Sequence, residues 1–396
     1  MKPISLSRGA KFAIGRLESL GYEAYAVGGC VRDSLLGTAP HDWDLTTSAT
    51  PDETAAAFSD YRVIGTGMKH GTVTILYMGE PLEITTYRLD GDYADNRHPS
   101  SVTFSKSLPD DLARRDFTVN AMAYHPTRGL TDLFGGVDDL ERRLIRCVGD
   151  AEARFREDGL RILRAVRFAS ALGFSLEPET AHAVHSCVSL LENIAPERIR
   201  EEWNKLILGK AVDHILYEYT DVLSLIFPNV SRSPISVRIA DAPADFVTRL
   251  TVFFYGWMTD VGSDTAMNRL RYDHATREEV GTLLRLIEIP VEPTEATVRR
   301  LLAEISPETF WRLLDVKRCV GVPAAAETAE IAQTVLSRGD CLSLRALAVN
   351  GKDLMKIGIP EGKSVGEALD RLLDAVLDGD LPNKKTALLN AAKKWK

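Results

Sequence analysis

Apolar residues between positions 6 and 20 recur at three- and four-residue spacing and stop at Gly21, which predicts an opening helix with a glycine at its C-terminal end. Residues 23–27 are short and partly β-branched or aromatic, a strand pattern broken by Gly28-Gly29. A short helix is predicted over 31–36, ending at Gly37, and a strand over 42–45, where polar and apolar residues alternate. Thr50-Pro51 pairs a capping residue with a proline suited to a first helical turn. Residues 72–78 and 82–87 flank Gly79-Glu80-Pro81 and predict a hairpin, and the polar, turn-rich stretch 90–101 predicts a mobile loop. From Ala151 onward the period turns helical, as in Leu160, Leu163, Val166 and Leu172, with breaks at Gly209, residues 228–234, residues 290–293, Pro323 and Gly339. The expected class is α+β: a mixed-sheet N-terminal head followed by an all-helical remainder.

Composition narrows this further. With 396 residues the chain has room for two or three domains at about 150 residues each. A hydrophobic share of 45% and a charged share of 26% exclude a disordered or low-complexity chain. No stretch reaches the roughly 20 apolar residues that span a bilayer, and the first residues lack a signal-peptide core, so the expected location is the cytoplasm. Cys30, Cys147, Cys187, Cys319 and Cys341 are too scattered for a zinc finger or a disulfide framework, which predicts reduced thiols. The net charge of −8 argues against a generic nucleic-acid coat but leaves room for a local basic groove. Eight arginines between 142 and 167, against four acidic residues, supply one.

Candidate chemistry sits in four places. On a strand, Asp42 and Asp44 would share a face about 7 Å apart, and two such carboxylates repel unless a cation neutralises them. Oxygen donors with no His or Cys beside them suit Mg²⁺. Upstream, Gly28-Gly29-Cys30-Val31-Arg32-Asp33 joins a strand to a helix, where backbone amides can approach a phosphate and Arg32 can add a charged contact. This is neither the dinucleotide-binding glycine pattern nor a Walker loop. Glu83, in the predicted hairpin, is either a third carboxylate from a neighbouring strand or an exposed strand glutamate. Arg115, within Arg114-Arg115-Asp116-Phe117, is either part of a salt-bridged surface or a phosphate or ribose contact.

The fourth place is Glu157-Asp158-Gly159-Leu160-Arg161-Ile162-Leu163-Arg164, running on to Arg167. Positions 158, 161, 164 and 167 step by three and predict one polar stripe on a helix. Asp158 presents only acceptors and Arg161 only donors. Side by side they complement a base edge with an exocyclic amine next to a ring acceptor, which cytosine and adenine offer and uracil and guanine reverse. Mispaired buried polar groups cost about 1–3 kcal/mol each. CTP and ATP are therefore the expected substrates. The alternative is an ordinary surface ion pair.

These motifs, with Glu197-Arg198-Ile199 and Glu202-Trp203 further on, resemble those of class II tRNA nucleotidyltransferases, the CCA-adding enzymes, whose relatives are the bacterial poly(A) polymerases. They occur in family order, and residues 347–354 and 381–385 resemble the C-terminal tRNA-holding region of bacterial members. The resemblance implies that Gly29 and Arg32 contact the triphosphate, that Asp42 and Asp44 hold Mg²⁺, and that Arg115, Asp158, Arg161, Arg164 and Arg167 line the nucleotide pocket; Glu83, read from its place in the hairpin, is the candidate for a further catalytic carboxylate. It implies a head over 1–141, a neck over 142–209, a body over 210–338 and a tRNA-binding tail over 339–396. Its partners would be tRNA, CTP and ATP, with no membrane and no obligate protein partner. Loop 90–101 resembles the flexible element linked to the final A, departing at His98 where many relatives carry a second arginine. No His-Asp phosphohydrolase activity is expected, because His41-Asp42 belongs to the metal strand and Asp273-His274 is reversed. The reaction expected is addition of C, C and A to the tRNA 3′ end with release of pyrophosphate. A-only addition and poly(A) synthesis share the same motifs. A non-catalytic RNA-binding derivative is disfavoured by the intact Asp42/Asp44 pair, and a dinucleotide-dependent oxidoreductase by the missing glycine fingerprint.

Overall fold

A computed structural model describes residues 4–90, 102–230, 237–258, 262–322 and 326–395. Apart from residue 90, the loop expected at 90–101 lies outside the described residues. The chain divides into two compact units, residues 1–230 with 269–271 and residues 231–268 with 272–396.

The first unit opens with α1 (Arg8–Ser19), whose N-terminus is capped by the Ser7 hydroxyl and whose Ala10, Ala13, Ile14 and Leu17 are buried at helical spacing. Then come β1 (Ala24–Val27), α2 (Gly29–Leu35), β2 (Asp44–Thr47) and α3 (Pro51–Ala57). A reciprocal capping box between Thr50 and Glu53 starts α3 where the Thr-Pro signal placed it. The strands β3 (Arg62–Ile64), β4 (Thr72–Tyr77) and β5 (Glu80–Thr86) follow, the last two forming the predicted hairpin. Two short paired strands, β6 (Arg88–Asp90) and β7 (Val102–Phe104), and the helix α4 (Leu108–Ala113) lead to β8 (Met122–His125) and β9 (Gly129–Asp132).

Seven of these strands form one sheet in the order β3-β4-β5-β2-β1-β8-β9. Only β2 and β5 run parallel; the other neighbours are antiparallel, so the sheet is mixed as expected. Alternation sends Leu45, Val73, Ile75, Leu82 and Ile84 into the core and leaves Asp44 and Glu83 exposed. The parallel register sets Asp44 directly beside Glu83.

Helix dominates thereafter. After α5 (Gly136–Arg142), the short strands β10 (Leu144–Ile145) and β11 (Ser175–Leu176) pair in parallel and enclose α6 (Ala151–Glu157) and α7 (Leu160–Leu172). The unit continues through α8 (Pro178–Ser186), α9 (Pro196–Ile207), α10 (Val212–Glu218) and α11 (Thr220–Ile226). Trp203 of α9 is fully buried, edge-on to Phe227.

Described by itself, the second unit is built, among its described residues, from helices: α12 (Phe246–Trp257), α13 (Ser263–Arg269, whose last residue joins the first unit), α14 (His274–Ile287), α15 (Glu295–Glu304), α16 (Pro307–Cys319), α17 (Ala326–Arg338), α18 (Gly351–Lys356), α19 (Lys363–Leu377) and α20 (Lys385–Ala392). It holds two apolar clusters, one including Leu283, Val298, Phe310 and Val335, the other including Leu354, Leu372, Leu388 and Ala392. Lys317 is fully buried and donates to the carbonyls of Ile287 and Ile289, closing the end of α14. All five cysteines are free thiols.

Candidate active site

Two features of the first unit converge: an acidic edge on β2 and β5, and an arginine cluster built from α2, the segment after α4, and α7. Trp43 is buried, while Asp42 and Asp44 on either side of it are exposed. Here the structure corrects the sequence reading. β2 begins at Asp44, so Asp42 lies in the bend before the strand and not on it. The strand starts where pairing starts, because Asp44 is the first residue with a register partner on β5. The two aspartates still act on each other. Burial, then the charges of Asp42 and Glu83, push the Asp44 carboxyl up to about 6, opposed by Arg115. Asp44 is exposed as a residue, yet enough protein surrounds its carboxyl to penalise the charge.

Among the described residues no three His, Cys, Asp or Glu side chains form a ready-made metal cage. The donor set nevertheless fits a hard divalent cation: like-charged carboxylates whose mutual repulsion helps to raise one of them, with Arg115 relieving it in part. Mg²⁺ takes one or two protein carboxylates and fills the rest of its octahedron with water and substrate phosphate.

The turn between β1 and α2 is built by Gly28. Its φ of +82° is a backbone region that side-chain-bearing residues rarely adopt. A Cβ there would stand 3.3 Å from Nη1 of Arg115 and 3.8 Å from the carbonyl of Asn120. Gly29, singled out from the sequence, has only an ordinary contact, so Gly28 is the glycine that the turn requires. Arg32 is buried, donating to Asn120 Oδ1 at 2.7 Å and to Asp33 Oδ1 at 2.8 Å. Arg115 Nη2 donates to Asp111 Oδ2 at 3.1 Å, while its Nε is buried without a hydrogen-bond partner. Asp111 is fully buried and also accepts from Arg114 and from Thr46 of β2. Burial alone would raise its pKa, but Arg115 and Arg114 hold it below the usual carboxylate range.

The segment expected to read the base departs from the continuous helix expected of it. Asp158 is not on a helix: α6 ends at Glu157, Asp158 has φ −140° and ψ 105°, and α7 begins at Leu160. The residue after the break is closely packed. Gly159 packs against the chain at Leu190, where a Cβ would sit 3.0 Å from the Leu190 carbonyl oxygen. The Asp158 carboxylate then caps α7 by accepting the Leu160 N–H at 3.0 Å. Asp158 is held by Arg198 of α9, and Arg161 turns to Glu157 and to the carbonyls of Arg154 and Arg114. The continuous 158–161–164–167 stripe is thus two structures, a capping aspartate and a helix face.

That helix face gathers the remaining arginines. The guanidinium carbons of Arg32, Arg164 and Arg167 lie 5.2, 5.5 and 3.5 Å from the centre of the Phe168 ring. Arg164 donates to Asp116 at 2.5 and 2.9 Å, and Arg167 to Glu202 at 2.8 Å. Burial would raise Asp116, yet Arg164, with Arg161 and the Phe117 N–H, brings it down to about 2.

The sequence motifs included Gly28, Arg198 and Glu202 without giving any of them a role of its own, and Asp111, Asn120 and Phe168 were assigned no part in the site. Asp111 was findable, since it stands four residues before Arg115 with opposite charge. Arg198 and Glu202 stood in a motif, but their pairing with Asp158 and Arg167 carries no local signal, because these partners lie 35 to 40 residues away.

Comparison with known proteins was decisive. Residues 24–146 match a Poly A polymerase head domain, residues 173–232 an RNA and SrmB-binding site of polymerase A, and residues 251–392 tRNA nucleotidyltransferase domain 2. The CCA-adding enzyme of Limosilactobacillus fermentum is 37% identical over 97% of this chain and 96% of its own. This chain belongs to the CCA-adding enzyme family. The family's Geobacillus stearothermophilus member is 36% identical over 94% of this chain and 93% of its own. The crystal structure of the Bacillus stearothermophilus CCA-adding enzyme in complex with CTP superposes with a TM-score of 0.83 at 31% identity, covering 98% of both chains. CCA-adding enzymes are nucleotidyltransferases that generally use a divalent metal. Among the described residues no helix is long and apolar enough to cross a membrane.

Proposed function

We propose that this protein adds C, C and A, without a template, to the 3′ end of tRNA from CTP and ATP, releasing pyrophosphate. The observation that carries this reading is the full-length likeness to CCA-adding enzymes in both sequence and fold. The geometry accounts for the chemistry. Asp42 and Asp44, with Glu83 beside them, would hold Mg²⁺, which when bound lowers the pKa of an attacking ribose hydroxyl and offsets charge on departing pyrophosphate. Arg32 and Arg115, beside the Gly28 turn, hold the triphosphate, and Asp111 keeps Arg115 in place. Gly29 lets the nucleotide approach the start of α2. Asp158 accepts from the exocyclic amine of cytosine or adenine, Arg161 donates to the ring nitrogen, and Arg164 and Arg167 line the pocket. Arg161 must leave some of its present partners to do so.

Under the same reading residues 1–141 are the catalytic head, 142–209 the neck, 210–338 the body and 339–396 a tRNA-binding tail, and the enzyme works in the cytoplasm. The test is incubation of tRNA lacking its CCA end with labelled CTP, ATP or both. Addition of C from CTP alone, followed by A only when both are present, is the expected result. Incorporation of A alone, or of long A tracts, would replace the reading by A-only addition or poly(A) synthesis.

A further inference from the structure

A carboxylate that reads an exocyclic amine has to keep its oxygens in one place. Asp158 lies in the non-helical step between α6 and α7, where the nearby chain offers its carboxylate the Leu160 N–H. Its side-chain partner comes from α9. Arg198 donates from Nη2 to Oδ2 at 2.8 Å and from Nη1 to Oδ1 at 3.4 Å, a two-point fork that sets the carboxylate plane. Oδ1 also takes the Leu160 N–H at 3.0 Å, so its accepting capacity is spent on the protein. Oδ2 has one protein partner and can accept once more. The two side chains keep 17% and 24% of their surface exposed, so the pair is reachable from solvent.

One turn along α9 from Arg198, on the same face, Glu202 accepts from Arg167 and Arg164. A single helix face therefore holds both an acidic and a basic part of the nucleotide pocket, a donor fixing Asp158 and an acceptor fixing two arginines.

We infer that Arg198 is a positioning residue for base selection: it holds the Asp158 carboxylate so that Oδ2 alone meets the amine of the incoming base. The inference rests on the reading of Asp158 proposed above. Without the fork, the carboxylate turns about its χ angles toward other cations such as Arg164, which already feels its charge. The amine then goes unread. Uracil, which presents a carbonyl where cytosine presents an amine, is no longer met by a fixed acceptor that repels it.

The test compares kcat/KM for CTP and UTP on tRNA lacking its CCA end, for Arg198→Met, Arg198→Lys and Asp158→Ala, with thermal unfolding of each. Arg198→Met should lower the CTP-to-UTP ratio roughly ten-fold, the scale of one hydrogen bond to a charged group, mainly through KM for CTP. Arg198→Lys, with one donor in place of a fork, should restore part of the ratio. If Arg198→Met fails to fold, Arg198→Gln replaces it. A ratio unchanged in the Arg198 variants while Asp158→Ala lowers it would overturn the inference. An equal fall in kcat for both nucleotides would also do so, since that is what mere support of the fold predicts. A ratio unchanged in Asp158→Ala would remove the base-reading role itself, and the inference with it.

Discussion

Asp44 owes its raised carboxyl to burial and to like charges that Arg115 opposes. Neither it nor Asp42 packs a core, because the apolar contact at this point is made by Trp43 between them. Replacing either aspartate by alanine should therefore leave thermal unfolding almost unchanged, within about 0.5 kcal/mol. Nucleotide transfer should fall by roughly a hundred-fold or more, the scale for removing one group that stabilises charge in a transition state. A correctly folded Asp44→Ala variant with near-normal single-turnover rates would sink the metal assignment. Asp116 behaves in the opposite way. Its folded pKa, about 2, lies below the ordinary carboxylate value, so its ion pair with Arg164 stabilises the fold at any pH above about 4 and loses that contribution as pH falls toward 2. The shift corresponds to roughly 2 kcal/mol. Asp116→Asn should cost about that much in urea unfolding at pH 7 and flatten the dependence of stability on pH between about 4 and 2. An unchanged slope there would mean that another group carries the acid sensitivity.

At the scale of elements, α7 shows what a sequence reveals and what it withholds. Its apolar side, Leu160, Leu163 and Val166, was legible because helical period is local, and all three are buried. So were α1, α3 and the β4–β5 hairpin, whose caps and turns lie within a few residues of one another. The start of α7 was not legible. Asp158 continues the three-residue step in the sequence, and nothing local marks it as the extended residue between two helices, next to a glycine packed on Leu190, 31 residues away. For the same reason the acidic edge was visible as a motif while the position of Asp42 was not, since β2 begins where β5 pairs with it. The meeting of three arginines on Phe168 is a further case: the i,i+4 step from Arg164 was on view, but Arg32 reaches the ring from α2. Phe168→Leu keeps an apolar side chain there and removes the π face. Each cation–π contact is worth about 0.5–2 kcal/mol. KM for both CTP and ATP should rise about ten-fold with little change in the CTP-to-UTP ratio. A changed ratio with unchanged KM would assign Phe168 to base choice instead of holding the arginines.

At the scale of the whole molecule the difficulty is electrostatic: a chain with net charge −8 has to hold a polyanion. Clustering of charge answers it. The arginines from 142 to 167 sit in the first unit, and the tail carries Lys384, Lys385, Lys393, Lys394 and Lys396. These lysines are not equivalent. Lys385 donates to Asp353 at 2.7 Å and joins α20 to the start of α18, so it supports the fold of the tail more than it offers charge to RNA. Lys393 and Lys394 lie at the chain's end beyond α20, in a short turn closed by Trp395 beneath Arg371. The tail also has its own apolar cluster, which includes Leu354, Leu372 and Leu388, so Lys393 and Lys394 can be exchanged without disturbing it. Each phosphate contact contributes a salt slope of roughly 0.7 to 0.9 in log Kd against log salt. If the tail clamps tRNA, Lys393→Ala with Lys394→Ala should weaken tRNA binding at low salt and lower that slope by about 1.5, with thermal unfolding unchanged. Lys385→Ala should instead lower the unfolding temperature and leave the slope nearly intact. Binding by filter retention or fluorescence anisotropy across a salt series separates the two. A slope that survives the double substitution, or a tRNA affinity independent of salt, would remove the tail from the RNA-holding surface and leave the arginine-rich segment of the first unit to carry the phosphates alone.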